Sequence, residues 1–344
     1  MIEAGIKPKV VITQPVHAEV IALLAKHCAI TANCGRAAWP RAELIDKSGP
    51  ADALLVFMPD VIDEEFLRHC PKLKIVAAAL KGFDNFDVQA MSRRGIWFTI
   101  VPDLLTIPTA ELAISLLLCL TRRVLEGDRF VRSGNFSGWR PELYGAGLSG
   151  GTLGVIGMGA IGQHIVRRLA GFDIHIVYHD PCPLKPAQEV EWSLTAVPLE
   201  QLLRQSDFVI LAAPLLESNF HLINDARLSA MKTGSYLVNV GRGSVVDEAA
   251  VARALASAKL AGYAADVFEL EDLQRGDRPE SIPQWLLDHP AQTLLTPHLG
   301  SAVAAVRREI ELRAAHNILQ ALDGNVPDDA VNQPLRAHPV AERL

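Results

Sequence analysis

Short apolar runs alternate with amphipathic stretches along most of this chain. KVVIT, from Lys9, is a short β-branched run, and HAEVIALLAKH repeats its apolar residues at helical spacing. ADALLVF and LKIVAAAL predict strands, with EEFLRHC between them as a helix. FDVQAMSRRG predicts a helix stopped at a glycine, and IWFTIV the strand after it. Such runs are apolar throughout rather than alternating, which predicts strands covered on both faces in a parallel sheet. VPDLLTIPTAE then breaks the pattern with two prolines, and a long helix follows to about Arg123. Its apolar stretch LAISLLLCL is too short to span a bilayer and reads as a buried helix.

A second series starts at Thr152. TLGVIGMG is a strand entering a glycine-rich turn, and AIGQHIVRRLAG is a helix stopped by Gly171. DIHIVYHD, DFVILAAP, SYLVNVG, LAGYAADVF and TLLTP predict further strands, most of them separated by helices. The last long helix, AAVRREIELRAAHNILQALDG, follows the final strand and can return to the first series, and the tail after Asn332 reads as loose. The segment Val124 to Gly150 carries neither period, and a loop of that length usually has a function or a partner. The expected fold is α/β with two doubly wound parallel-sheet domains. One is a flavodoxin-like substrate domain from 8–104 plus 300–335, and the other is a Rossmann domain from 105–299.

The 344 residues, 49% of them hydrophobic and 21% charged, suffice for two cores. A net charge of −6 gives no reason to expect nucleic acid as a partner. No apolar leader or spanning segment points to a membrane. The five cysteines, Cys28, Cys34, Cys70, Cys119 and Cys182, match no zinc spacing and read as reduced thiols of a cytoplasmic protein. His175 and His179 sit in a strand-like run with no third ligand nearby, so no metal site is expected.

The chemistry gathers after the glycine turn. GMGAIG places Gly157, Gly159 and Gly162 in a G-x-G-x-x-G pattern between a strand and a helix, with Ala160 and Ile161 inside it. The first glycine allows the tight turn, the second lets backbone approach a pyrophosphate, and the third packs helix on strand. Asp180 ends the next strand, where a carboxylate accepts from ribose hydroxyls and repels a 2′-phosphate, so NAD is expected over NADP. Arg242, Asp266, Glu269, Glu271 and His298 all lie just past later strands, at the edge where doubly wound sheets bind ligands. An arginine fork suits an oxyanion, and a histidine oriented by a carboxylate suits proton transfer. Lys81 stands at the mouth of an apolar strand, just before Gly82, and is either a solvated lysine or a cation placed for an anion.

The segments VNVGRGSVVDEAAV, GYAADVFELE and TPHLGSA, in that order after the glycine turn, resemble the D-2-hydroxyacid dehydrogenase family. The resemblance covers nearly the whole chain. It implies an NAD-dependent oxidoreductase with two lobes and the active site in the cleft. By the resemblance, Arg242 is expected to bind the substrate anion, His298 to be the acid/base and Glu271 to orient it. The resemblance likewise implies that Asp266 contacts the nicotinamide carboxamide and that Thr109, Pro214 and Val240 join the cofactor site. FMPD, ALKGFDNFDV, VPDLLTIPTAELAI and FVRSGNFSGWRPELYGAGL further resemble the phosphite-oxidising branch of that family. There Lys81 replaces the small or apolar residue of most members. That branch implies phosphite as substrate, held by Lys81, Gly82, Leu105, Arg242, His298 and Ser301, with Met58 and Arg307 in the pocket wall. It also implies a homodimer, with an aromatic of the 124–150 segment reaching the neighbour. A glyoxylate or hydroxypyruvate reductase, and a non-enzymatic NAD(H)-sensing protein, are the alternatives.

Overall fold

The computed structural model describes residues 7–35 and 37–335. It divides into two compact units. A split unit takes the chain up to Leu105 and again from Val303, and a continuous unit takes Thr106–Ala302.

The split unit holds β1 (Lys9–Ile12), α1 (Ala18–Ala25), β2 (Ala29–Ala32), α2 (Arg41–Ser48), β3 (Ala53–Val56), α3 (Glu64–Arg68), β4 (Ile75–Ala78), α4 (Val88–Arg93) and β5 (Trp97–Thr99). Its five strands form one parallel sheet in the order β2-β1-β3-β4-β5, a flavodoxin-like arrangement. Alternate residues of the wholly buried β3 and β4 feed two cores, since side chains alternate across a sheet. Leu54, Val56, Val76 and Ala78 pack with Phe66, Leu67 and Met91 of α3 and α4. Ala53, Leu55, Ile75 and Ala77 pack on the opposite side with Val20 and Leu24 of α1. Asp63 and Asp87 cap α3 and α4 by accepting from Phe66 N and Ala90 N, both at 2.8 Å.

The continuous unit opens with α5 (Thr106–Thr121) and α6 (Val124–Arg132). Next come β6 (Thr152–Ile156), α7 (Ala160–Leu169), β7 (His175–His179), α8 (Pro186–Trp192), β8 (Leu194–Ala196), α9 (Leu199–Gln205) and β9 (Phe208–Leu211). The unit finishes with α10 (Asp225–Ala230), β10 (Ser235–Asn239), α11 (Glu248–Ala256), β11 (Leu260–Ala265), α12 (Gln284–Asp288) and β12 (Thr293–Leu295). The seven parallel strands run β12-β11-β10-β9-β6-β7-β8. Strand order reverses between β6 and β9, which marks the ligand crevice of a Rossmann sheet. The chain then returns to the split unit as α13 (Ala304–Leu322), whose Ile310, Ala314 and Ile318 complete the core beside α1.

Four elements were absent from the sequence pattern, and one segment contradicts it. β2 is an edge strand whose four residues alternate between exposed and half-buried, so no apolar run marks it. α2 buries only Leu44 and Ser48. α8 and β8 lie in the stretch after Asp180, where Tyr178 donates to Glu189 Oε1 (2.6 Å) and accepts from Leu184 N (2.8 Å). The expected long loop from Val124 instead starts as α6, which buries none of its residues. Ion pairs of Arg123 with Glu126 and Arg132 with Asp128, both at 2.8 Å, support it instead.

The expected looseness after Asn332 also needs correction. Asn332 Oδ1 accepts from Phe98 N (2.8 Å), its amide donates to Ile96 O (2.9 Å), and Leu335 N donates to Ser92 O (2.9 Å). Residues 336–344 of that tail lie outside the described residues. No described helix is long and apolar enough to cross a membrane.

Candidate active site

The glycine turn follows β6 at the reversal point, and each glycine answers to a different constraint. Gly157 has φ 95°, a left-handed backbone that side chains resist. A Cβ on Gly162 would lie 2.2 Å from the Gly157 carbonyl oxygen, so α7 approaches the turn only because that position is bare. A Cβ on Gly159 would meet nothing within 4 Å. No protein contact therefore demands glycine there, and the exposed edge formed with Ala160 is open for a ligand. The backbone at the start of α7 suits a phosphate. Asp180 closes this corner, accepting from Met158 N and Cys182 N at 2.7 Å each. A carboxylate has capacity for further donors beyond these two. Val240 is buried beneath the turn after β10, and Pro214 lies exposed after β9 with its carbonyl accepting from Asn219.

His298 and Glu271, 27 residues apart in sequence, meet with Nδ1 donating to Glu271 Oε2 at 2.6 Å. The other Glu271 oxygen accepts from Phe268 N (2.8 Å), which fixes the carboxylate on its own 3-10 turn, Glu269–Glu271. The pairing leaves the imidazole Nε2 as the nitrogen that exchanges a proton. His298 has φ 55°, a conformation seldom adopted by non-glycine residues and one that clusters at functional sites.

Asp266 holds that conformation. Its carbonyl accepts from His298 N (2.9 Å), and its carboxylate accepts from Thr296 Oγ1 (2.6 Å), Leu299 N (2.7 Å) and Gly300 N (2.8 Å). Burial raises its pKa. The Asp266 carboxylate is 1% exposed and tied into the histidine loop. Thr109 of α5 is buried against the same loop, its hydroxyl 3.0 Å from where a Gly300 Cβ would lie. Ser301 follows, half-buried. Arg242, also half-buried, leaves β10 just before the 3-10 turn Gly243–Val245, and its Nη1 donates to Gly241 O at 2.9 Å.

The split unit carries its own cationic end. Lys81 lies just beyond β4, half-buried, and burial lowers the pKa of its ammonium while Asp103 opposes the shift. Arg307 of α13 donates from Nη1 to Ala79 O (3.2 Å), two residues before Lys81, and its guanidinium lies 5.8 Å over the Phe57 ring. Glu311 stands 3.8 Å from Arg307 and accepts from His17 N at 2.9 Å. Met58 is half-buried in the loop after β3. Asp60 fixes that loop by accepting from Phe57 N and the Thr13 hydroxyl, and burial pushes its carboxyl up to about 6. Gly82 and Leu105 are half-buried in the same unit. The sequence reading missed the anchoring of Arg307, because Ala79 and Arg307 are joined only by the return of α13.

Comparison with known proteins agrees with this geometry. Residues 114–300 match the NAD-binding domain of the D-isomer specific 2-hydroxyacid dehydrogenases. A glyoxylate reductase of Pyrococcus horikoshii is 39% identical over 334 residues, 95% of this chain and 96% of that protein. The solved TT0316 protein of Thermus thermophilus superposes with a TM-score of 0.85 at 35% identity, covering 94% of this chain and all of that one. D-lactate dehydrogenase from Aquifex aeolicus, solved with NAD and lactic acid, gives 0.80 at 26% identity over 96% of this chain and all of its own. The chain belongs to the D-isomer specific 2-hydroxyacid dehydrogenases. It is an NAD-dependent oxidoreductase, and the turn at Gly157–Gly162 lies within the matched NAD-binding domain.

Proposed function

We propose that this enzyme oxidises phosphite to phosphate with NAD. Phosphite, NAD⁺ and water give phosphate, NADH and a proton. The P–H bond breaks, a P–O bond forms, and the proton lost by water passes to His298. NAD supplies the acceptor for the hydride. Arg242 and Lys81 bind the phosphite oxygens, Glu271 keeps His298 in the tautomer that accepts at Nε2, and Met58, Leu105, Gly82 and Ser301 complete the substrate site. The observation that carries this reading is Lys81, a half-buried ammonium just beyond β4 and beside Gly82. A half-buried cation added to the arginine suits a dianion better than a single carboxylate, because more of its lost hydration is offset. The protein acts as a cytoplasmic homodimer in this reading.

Glyoxylate or hydroxypyruvate reduction with the same arginine, glutamate and histidine is the second reading, and the names of the relatives favour it. One absorbance assay separates the two. Under the first reading NADH forms from phosphite with kcat/KM about a hundredfold or more above that for glyoxylate reduction, and Lys81→Ala lowers the phosphite value about thirtyfold to a thousandfold, from about 2–4 kcal/mol of lost charge-assisted contact. NAD binding and thermal stability stay near wild type. Brisk glyoxylate reduction by an enzyme inert to phosphite establishes the second reading. NADH binding without turnover of either establishes a sensor.

A further inference from the structure

Beneath Arg242 and Glu271 lies a group of buried acids that hydride transfer does not itself require. Glu248, the first residue of α11, is 1% exposed, and Glu269, on the turn that carries Glu271, is 8% exposed. The two are joined reciprocally: Glu248 N donates to Glu269 Oε1 (3.0 Å), and Glu269 N donates to Glu248 Oε1 (2.9 Å). Glu269 Oε2 meets His221 Nε2 at 2.7 Å, while Glu248 Oε2 has no partner. Two further contacts join the same segments. Ser244 N donates to Asp272 Oδ2 (3.0 Å), and Gly243 passes so close that a Cβ would fall 1.9 Å from the Phe268 carbonyl carbon. The strip that begins at Arg242 is thereby fastened to the turn that presents Glu271 to His298.

We propose that Glu248 is a positioning residue, clasping Glu269 as a neutral acid so that Arg242 and the Glu271–His298 pair keep their register, and releasing them when it ionises at alkaline pH. An ionised carboxylate oxygen buried without a donor is costly, whereas a protonated carboxyl is tolerated there. The facing carboxylates of Glu269, Glu271 and Asp272 oppose ionisation, the Glu269 N–H that donates to Oε1 favours it, and β11 presents the buried Tyr263 hydroxyl. From α10, Asp225 is paired with Arg253, and His221 is engaged by Glu269. Burial, the largest cause, with those carboxylates adding to it and outweighing the Glu269 N–H, pushes the Glu248 carboxyl up to about 8. Ionisation sets the loops against each other and adds negative charge beside Glu271. The inference rests on the roles of Arg242, Glu271 and His298 and is indifferent to the choice between phosphite and glyoxylate.

The test compares wild type, Glu248→Gln and Glu248→Ala. Glu248→Ala should lower kcat about tenfold or more across the pH range, with NADH affinity within about threefold of wild type. Glu248→Gln should restore neutral-pH kcat and lack the decline expected of wild type through about pH 8. Infrared difference spectra of wild type minus Glu248→Gln at neutral pH should contain a protonated-carboxyl C=O band, a readout independent of turnover and of substrate. The raised native pKa also fixes the sign for stability. Its contribution is complete below 4.5, the carboxyl's ordinary value, and is lost as pH rises through about 8, so wild-type Tm should fall relative to Glu248→Gln across that window. Superimposable pH profiles for wild type and Glu248→Gln, or no protonated-carboxyl band, overturn the proposal.

Discussion

Asp180 is the residue proposed to discriminate between two cofactors. Its oxygens accept from Met158 N and Cys182 N, which holds the carboxylate at the corner of the glycine turn. A 2′-phosphate beside a fixed carboxylate meets repulsion, and ribose hydroxyls meet acceptors. Asp180→Ala should therefore raise kcat/KM with NADP and lower it with NAD, reducing the preference about tenfold or more. Comparable wild-type values for the two cofactors would contradict the assignment. At this scale the sequence was informative where a residue's place in a motif foretold a contact, as for Glu271 and His298, which meet at 2.6 Å. It was silent on contacts that depend on which way a side chain turns. Asp266 sits in a signature segment, and its carboxylate also accepts from the backbone of the histidine loop. Glu248 also sits in one, yet its burial against Glu269 is a property of packing alone.

At the scale of elements, the glycine turn joining β6 to α7 separates packing from binding. Gly162 is bare because α7 touches the Gly157 carbonyl, whereas Gly159 is bare beside open space. Gly162→Ala should cost about 1–3 kcal/mol of stability and show as a lower Tm, because backbone must shift. Gly159→Ala should leave Tm nearly unchanged and weaken NADH binding about tenfold or more in a fluorescence titration. Equal Tm losses in both variants would dissolve the distinction. The legible elements were those with continuous burial, such as β3, β4 and β9, whose residues are all buried. The elements missed were those whose apolar residues are few or left uncovered. β2 pairs only with β1, α6 leaves Val124, Leu125 and Val131 exposed, and α8 is fastened through the Tyr178 hydroxyl.

At the scale of the whole molecule, the segment after α6 exposes Phe136 (53%), Trp139 (82%) and Tyr144 (71%) close together in sequence. Large aromatics are costly to leave in water, and a run of them marks a surface that meets a partner. With a second copy as that partner, sedimentation should give a dimer at micromolar concentration, and Trp139→Ala with Tyr144→Ala should shift it toward monomer. A wild-type monomer at those concentrations would defeat the homodimer.

The return of α13 has a consequence for how the protein is made. The sheet of the split unit is encoded before Leu105, but one of its faces is covered by Ile310, Ala314 and Ile318. During synthesis that sheet must wait, one face bare, while roughly two hundred further residues are translated, at about 5–20 residues per second. The Rossmann unit, contiguous in sequence, carries no such delay and can be complete while the earlier strands are still waiting for their last helix. Those strands are the part of a nascent chain on which a chaperone would act, for a time set by the ribosome rather than by the strands themselves.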